Sequence, residues 1–298
     1  MADIEFEMTN AGRRIRLTLT CAVLVTVVVL MGALSYSGGS SEEIVAGSSL
    51  IQDILGDLTE GRCQAHGLVP PGMCPSHYDL RPSDLEAVVQ SKVLIIHPWQ
   101  QHMGNVEGII EAAGLPGDRV KVVGVEGNWM VPSVHVEAVQ AVGRILGEFE
   151  STGEIAYAHK VAEITESILS HGVRVKSRLQ QAGLAGVKVL CGEKQAQFVQ
   201  WAGLEVVAAY GRPEELSVAD LDRLIRQGRD AGVALVVDNL QSGDAKAGRT
   251  LAGGTGAVQV VLSNFPGGFK GTGTWAKAVD KNADLLLAGF VRWRQDHE

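Results

Sequence analysis

From residue 44 onwards, short runs rich in β-branched residues alternate with amphipathic segments, and this alternation constrains the fold more than any other feature of the chain. Each run is four or five residues long and suits a strand buried on both faces of a parallel sheet. The runs lie at 93–96, 120–123, 187–190, 206–209, 234–237 and 258–262. Helical patterns separate them, such as 217–228, where a serine precedes apolar residues at helical spacing. The alternation predicts βαβ units and therefore an α/β fold.

One long helical pattern separates two strand-rich halves of the chain. Residues 154–182 contain no proline, and their apolar residues follow the helical period. At 1.5 Å per residue, such a helix is about 40 Å long. The sequence therefore predicts two Rossmann-like lobes with parallel sheets, residues 44–153 and 183–298, joined by this linking helix.

The N-terminal part of the chain contains a run long enough to cross a membrane. Residues 17–36 carry no charge, and twenty helical residues span about 30 Å, the thickness of a hydrocarbon core. Three arginines precede the run, and the tether at 37–43 is small, polar and acidic. The positive-inside rule then predicts a cytoplasmic segment at 1–16 and an extracytoplasmic main domain. A cleaved signal peptide is the alternative, but the missing small-residue cleavage motif before Gly38 favours an uncleaved single-pass anchor.

Composition and motifs exclude several functional classes. The chain is 46% hydrophobic with a net charge of −8, so it is not mostly disordered, and it lacks the basic balance of a nucleic-acid-binding protein. Four cysteines are too few for a disulfide scaffold. No serine-hydrolase elbow, zinc-protease helix or phosphate-binding loop has the required spacing. The sequence therefore gives no support to these enzyme classes.

The most specific motif is VPPGMCPSHYDLRPSDL at 69–85, where a proline-glycine turn is followed by a histidine and by a Pro-Ser-Asp helix start. Weaker motifs are GNWMVP at 127–132, FVQWAGL at 198–204, EELSVADL at 214–221 and VVDN at 236–239. This pattern resembles the zinc/manganese-binding, TroA-like solute-binding proteins of ABC transporters. The resemblance implies a receptor that binds a metal ion between two lobes and delivers it to a permease and its ATPase. It implies no enzymatic activity and no catalytic cofactor, with zinc or manganese as the transported ligand.

The resemblance also implies where metal ligands should lie. Such sites usually gather three histidines and one carboxylate, which suit zinc or manganese. Position by position, the first histidine falls at Ser76 or the neighbouring His77, and the second falls near Gly127. The third falls near Gly192, and the acidic ligand falls at Asp238. At most two of the four positions therefore retain a metal-binding side chain.

Two cysteines offer replacement donors, because thiolates favour zinc or Cu(I). Cys74 lies three residues before the surviving histidine, and Cys191 lies beside the third ligand position. The resulting candidate metal site consists of Cys74, His77, Cys191 and Asp238, with Glu193 as a substitute for the aspartate. Four alternatives remain open at this point. They are a Cys74–Cys191 disulfide, a Cys63–Cys74 disulfide, free buried cysteines, and an exported enzyme with a cysteine nucleophile beside His77.

Two loops provide further cleft candidates. Ligands in open α/β sheets bind beyond the carboxyl ends of the strands, and the loops after 93–96 and 120–123 carry polar and aromatic residues there. The candidates are His97, Trp99, His102, Asn128 and Trp129. If the usual metal donors are missing, the two tryptophans would form the walls of a site for a metal chelate or a small organic ligand. Core filling is the alternative role of Trp129.

Overall fold

The computed structural model describes residues 44–63, 65–149, 155–243 and 245–298. The predicted anchor at 17–36, with its flanks at 1–16 and 37–43, lies outside these residues. Among the helices that are described, none is both long and apolar enough to span a membrane.

The first lobe contains a four-stranded parallel sheet in the order β2-β1-β3-β4. Its elements are β1 (Ile44–Ala46), α1 (Ser49–Leu58), β2 (His66–Gly67), α2 (Pro82–Gln90), β3 (Val93–Ile96), α3 (Gly104–Ala112), β4 (Val120–Val122) and α4 (Pro132–Phe149). All four residues of β3 are buried, as the unbroken apolar run predicted. The sequence analysis missed β1 and β2, which are only three and two residues long.

The second lobe repeats the same strand order, β6-β5-β7-β8, and is again parallel throughout. After the linking helix α5 (Ile155–Gln181) come β5 (Lys188–Gly192), α6 (Glu193–Trp201), β6 (Glu205–Tyr210), α7 (Val218–Ala231), β7 (Leu235–Asn239), α8 (Lys246–Thr255), β8 (Val258–Leu262) and α9 (Trp275–His297). The fold is thus two parallel α/β lobes. The long helix predicted at 154–182 is present as α5, which packs most extensively on α4.

Local sequence explains where the helices begin and end. Ser217 precedes α7, and its hydroxyl accepts the backbone N–H of Asp220 at 3.1 Å. The Asp220 carboxylate in turn accepts the backbone N–H of Ser217 at 3.2 Å, which completes a capping box. Gly232 ends the helix with φ of +67°, a left-handed conformation that glycine adopts without steric cost.

The Pro-Ser-Asp motif fixes the loop that precedes α2. The Asp84 carboxylate is fully buried and accepts hydrogen bonds from the backbone N–H of Arg81 (2.8 Å) and the hydroxyl of Tyr78 (3.1 Å). His66 Nε2 lies 3.0 Å from its other oxygen. Burial alone would raise the pKa of Asp84, but these partners outweigh it and hold the pKa below its usual value. The motif is therefore an anchor for the loop at 69–78, which reaches the space between the lobes.

Candidate functional site

A cleft of about 430 Å³ lies between the two lobes, at the carboxyl ends of strands from both sheets. The first lobe lines it with Leu50, Cys74, Pro75, His97, Trp99, Met103, Glu126, Gly127, Asn128 and Trp129. The second lobe lines it with Glu193, Lys194, Gln197, Arg212, Asn239, Gln241, Ser242, Asn264 and Phe265. The position agrees with the rule that open α/β sheets bind ligands beyond their strand ends.

An aromatic stack forms one wall of the cleft. His97 directly follows β3 and is 2% exposed, and its ring lies 4.9 Å from Trp99 and 4.1 Å from Trp129. Trp129 is also buried and donates its indole N–H to the carbonyl of Val125 at 3.1 Å. It therefore packs in the core and also lines the cleft. Trp99 is 39% exposed. The stack therefore offers the cleft one accessible aromatic surface.

The His97 imidazole is held neutral. Its Nε2 lies 2.7 Å from the Ser48 hydroxyl, whereas its buried Nδ1 has no hydrogen-bond partner. Burial lowers the pKa of His97 to about 3, because the charged form would be poorly solvated. The unengaged Nδ1 is itself buried, so the neutral imidazole supports the aromatic stack and presents no free donor atom to the cleft.

Amide side chains join the two lobes across the cleft. The Asn128 side chain donates to the carbonyl of Lys194 and to Asn264 Oδ1, both at 2.9 Å, and its backbone N–H donates to Gln197 Oε1 at 2.6 Å. Gly127 has φ of +97°, and a Cβ there would lie 2.8 Å from the Gln197 amide. At the second expected ligand position, the opposite lobe thus packs so closely that a larger side chain would collide with it.

A second contact crosses the cleft at the first expected ligand position. Arg212, in the loop after β6, donates from Nη1 to the Ser76 hydroxyl at 3.1 Å. The same serine hydroxyl lies 3.3 Å from the Cys74 thiol. Ser76 thus joins the lobes by a hydrogen bond where the family resemblance implies a metal-binding histidine.

The predicted metal donors do not come together as a set. Cys74 and Glu193 line the cleft from opposite lobes, but His77 is exposed and lies outside the lining. Cys191 is fully buried, and its thiol donates to the carbonyl of Gly192. In the part of the chain that the structure describes, no three His, Cys, Asp or Glu residues are grouped so that they could hold a metal ion.

Asp238 lies at the end of β7, in an adjoining cavity of about 280 Å³, and has other partners. Its carboxylate accepts the Tyr210 hydroxyl at 2.7 Å and the Gln259 amide at 2.6 Å. Burial raises the pKa of Asp238, and these hydrogen bonds oppose the effect. A Cβ on Gly248 would lie 1.8 Å from this carboxylate, which shows how closely α8 covers it. Both oxygens therefore serve packing within the second lobe.

The two cysteines of the candidate metal site are not disulfide-bonded. Cys74 and Cys191 are both free thiols, so neither the Cys74–Cys191 nor the Cys63–Cys74 disulfide is formed. Burial, with a smaller effect from Asp238, raises the pKa of the Cys191 thiol well above its usual value. This thiol is therefore not activated as a nucleophile, because the reactive species is the thiolate.

Of the further cleft candidates, His97, Trp99, Asn128 and Trp129 line the cleft, whereas His102 is exposed and does not. Glu193 of the second lobe was predicted and lines the cleft, but the other second-lobe residues of the lining were not among the predicted site residues. Lys194 and Asn264 follow β5 and β8 closely, and Arg212 follows β6. The strand-end rule that selected His97 in the first lobe would have selected these residues too.

Residues 44–289 match the family model ZnuA, described as zinc-uptake complex component A, periplasmic. Comparison with curated proteins found no significant match.

Solved structures share the fold at low sequence identity. A zinc-bound 138–173 deletion mutant of ZnuA has a TM-score of 0.66 at 16% identity, covering 83% of this chain and 96% of that one. FpvC from Pseudomonas aeruginosa, in complex with Mn²⁺, has a TM-score of 0.68 at 17% identity, covering 84% and 98%. The Mn-bound periplasmic metal-binding protein from Candidatus Liberibacter asiaticus has a TM-score of 0.68 at 13% identity, covering 83% and 98%.

Proposed function

Because the chain belongs to the ZnuA family of periplasmic zinc-uptake components, we propose that it binds a divalent metal ion as cargo in the cleft between its lobes. As a family member it is a solute-binding receptor of an ABC importer, a transport component that works with a permease and an ATPase. The metal is the transported ligand and takes no part in catalysis.

The observation that carries the cargo site is the position of the cleft. It is the space that both lobes line, and ligand-driven closure of two lobes is a common way for a binding protein to signal occupancy. Two of its residues carry donors suited to zinc or manganese. They are the thiol of Cys74 and the carboxylate of Glu193. His77, Cys191 and Asp238 lie outside this lining, so we assign them no direct role.

We further propose that residues 17–36 anchor the receptor in the membrane and that 37–43 tether the lobes outside it. The support is the uncharged apolar run with arginines before it. Alkaline carbonate extraction of membranes tests this proposal. An anchored full-length chain stays in the pellet, whereas a cleaved or peripheral one is released. On this view residues 44–153 and 183–298 are the two lobes, with 154–182 linking them.

The cargo site is tested by thermal melting of the full-length protein with Zn²⁺ or Mn²⁺. At a metal concentration of 100 times Kd, specific binding stabilises the folded state by about 2.7 kcal/mol. For two lobes that unfold together, a unit of about 250 residues, that free energy raises Tm by roughly 5 to 10 °C. Glu193→Gln should reduce the shift, and Glu205→Gln, an exposed carboxylate at the start of β6, should not. Equal shifts in the two variants, or none in the parent, would exclude the proposed site.

A further inference from the structure

The cleft supplies too few donors to complete a metal coordination shell. Zinc in structural sites takes four ligands, and catalytic sites keep three from the protein. Among the residues described, no three His, Cys, Asp or Glu side chains are grouped to hold a metal. Cys74 and Glu193 face the cleft from opposite lobes, with amide contacts between those lobes. The remaining ligands of a bound ion must therefore come from something that enters with it.

The cleft is also larger than an ion requires. Six waters around a divalent cation occupy about 180 Å³ at roughly 30 Å³ each. The cleft measures about 430 Å³, which lies within the range of roughly 300–1,000 Å³ typical of small-molecule sites. The space fits an ion together with an organic molecule.

The cleft wall has the chemistry to recognise an organic ring. Trp99 presents 39% of its surface, and its ring is backed by the stacked His97. Phe265 of the second lobe lies 6.5 Å away, ring centre to ring centre. Aromatic rings favour stacked or edge-to-face contact with other rings, so this surface suits a planar partner.

The cleft lining carries cations as well as carboxylates. Two basic residues, Lys194 and Arg212, line it together with two acidic residues, Glu126 and Glu193. The Lys194 ammonium group forms no ion pair with any described residue. Arg212 donates to Ser76 and lies 3.8 Å from the Glu214 carboxylate, and the lining holds cations and carboxylates in equal number. An anionic group that enters with a metal ion would find cations for charge-assisted hydrogen bonds, and the metal would find carboxylates.

We propose that the cargo enters this cleft as a complex of a divalent metal ion with a small, planar, anionic chelator. The aromatic ring of the chelator lies on Trp99, its carboxylate pairs with Arg212 and Lys194, and the metal takes its remaining ligands from the protein. This inference rests on the proposed function, because the metal is still the cargo.

Calorimetry on the full-length protein tests the proposal with three probes. These are Zn²⁺ alone, pyridine-2,6-dicarboxylate alone, and their 1:1 complex, in which the chelator leaves zinc positions open. We expect the complex to bind at least 10-fold more tightly than either component. Trp99→Leu and Arg212→Gln should each weaken binding of the complex about 10-fold. Trp293→Leu and Arg223→Gln, which do not line the cleft, should leave it unchanged.

The other outcomes overturn the proposal in distinguishable ways. If Zn²⁺ alone binds as tightly as the complex, or the chelator strips it from the protein, the receptor takes the bare ion and the proposed function stands. If the chelator alone binds as tightly as the complex, the cargo is an organic molecule, and the proposal that the protein transports a metal is wrong as well. If neither zinc nor its complex binds, both proposals are wrong.

Discussion

Asp53 accepts a hydrogen bond that joins the lobes. Ionisation of its partly buried carboxyl destabilises the folded state, because the charge is poorly solvated there. It lies in α1, and its Oδ2 accepts the backbone N–H of Trp275, the first residue of α9, at 2.6 Å. Burial, with a smaller effect from Asp57, raises the pKa of Asp53 from 3.8 to about 7, and the Trp275 hydrogen bond opposes the rise. Replacement by asparagine keeps an oxygen acceptor and removes the charge.

The sign and size of the effect follow from proton linkage. Between pH 4 and 7 the folded state keeps the proton of Asp53 and the unfolded state has lost it, so the free energy of unfolding falls as the pH rises. The difference between a pKa of 3.8 and one of about 7 corresponds to about 4 kcal/mol at most. Since the carboxyl is only partly buried, we expect Asp53→Asn to stabilise the protein by about 2 to 4 kcal/mol at pH 8.

Urea unfolding of the full-length protein at pH 4.5, 6 and 8 measures this effect. The Asp53→Asn variant should exceed the parent by only about 1 kcal/mol at pH 4.5 and become progressively more stable towards pH 8. Asp118→Asn removes the same charge from an exposed position and should follow the parent at every pH. Parallel curves for the parent and Asp53→Asn would refute the assigned burial cost.

Two further predictions concern stability. His97 and His135 are buried with pKa values of about 3, so the free energy of unfolding should fall by about 2 kcal/mol for each residue as pH drops from 6.5 to 5, because the unfolded histidines take up protons. Unfolding of the Asp53→Asn variant by urea at these two pH values checks this, because that variant lacks the opposing effect of Asp53, and a flat profile would contradict it. In α8, Gly248→Ala should destabilise by about 1 to 3 kcal/mol, because its Cβ would meet the Asp238 carboxylate at 1.8 Å, whereas Gly253→Ala, with open space around it, should stabilise by up to about 1 kcal/mol. Tm values that shift in the same direction in both variants would contradict this account.

Much of the fold follows from the sequence because its strands are continuous apolar runs. The runs at 93–96 and 258–262 became β3 and β8 with the same bounds, and the helix predicted at 154–182 differs from α5 by one residue at each end. There is a physical reason why β1 and β2 were not predicted. A strand of two or three residues is too short to show periodicity, and only its neighbours in the sheet define it.

The cleft was less predictable because it depends on contacts between distant residues. The strand-end rule correctly selected His97 and Asn128, which the structure places in the cleft. Cys191 also follows a strand pattern, yet its side chain is directed into the core, because alternate residues of a strand face opposite sides of the sheet. The bond between Arg212 and Ser76 joins residues 136 positions apart, and no local pattern in the sequence indicates it.

The central claim is that a divalent metal ion binds between the lobes. It is tested most directly by anomalous diffraction on either side of the zinc absorption edge, using crystals of the full-length protein grown with zinc. We predict a single anomalous peak in the cleft, about 2.0 to 2.3 Å from the donor atom of Cys74 or Glu193. Planar density beside Trp99 would accompany it if a chelator is bound. A peak confined to the protein surface or to the Asp238 cavity, or no peak at all, would contradict the account.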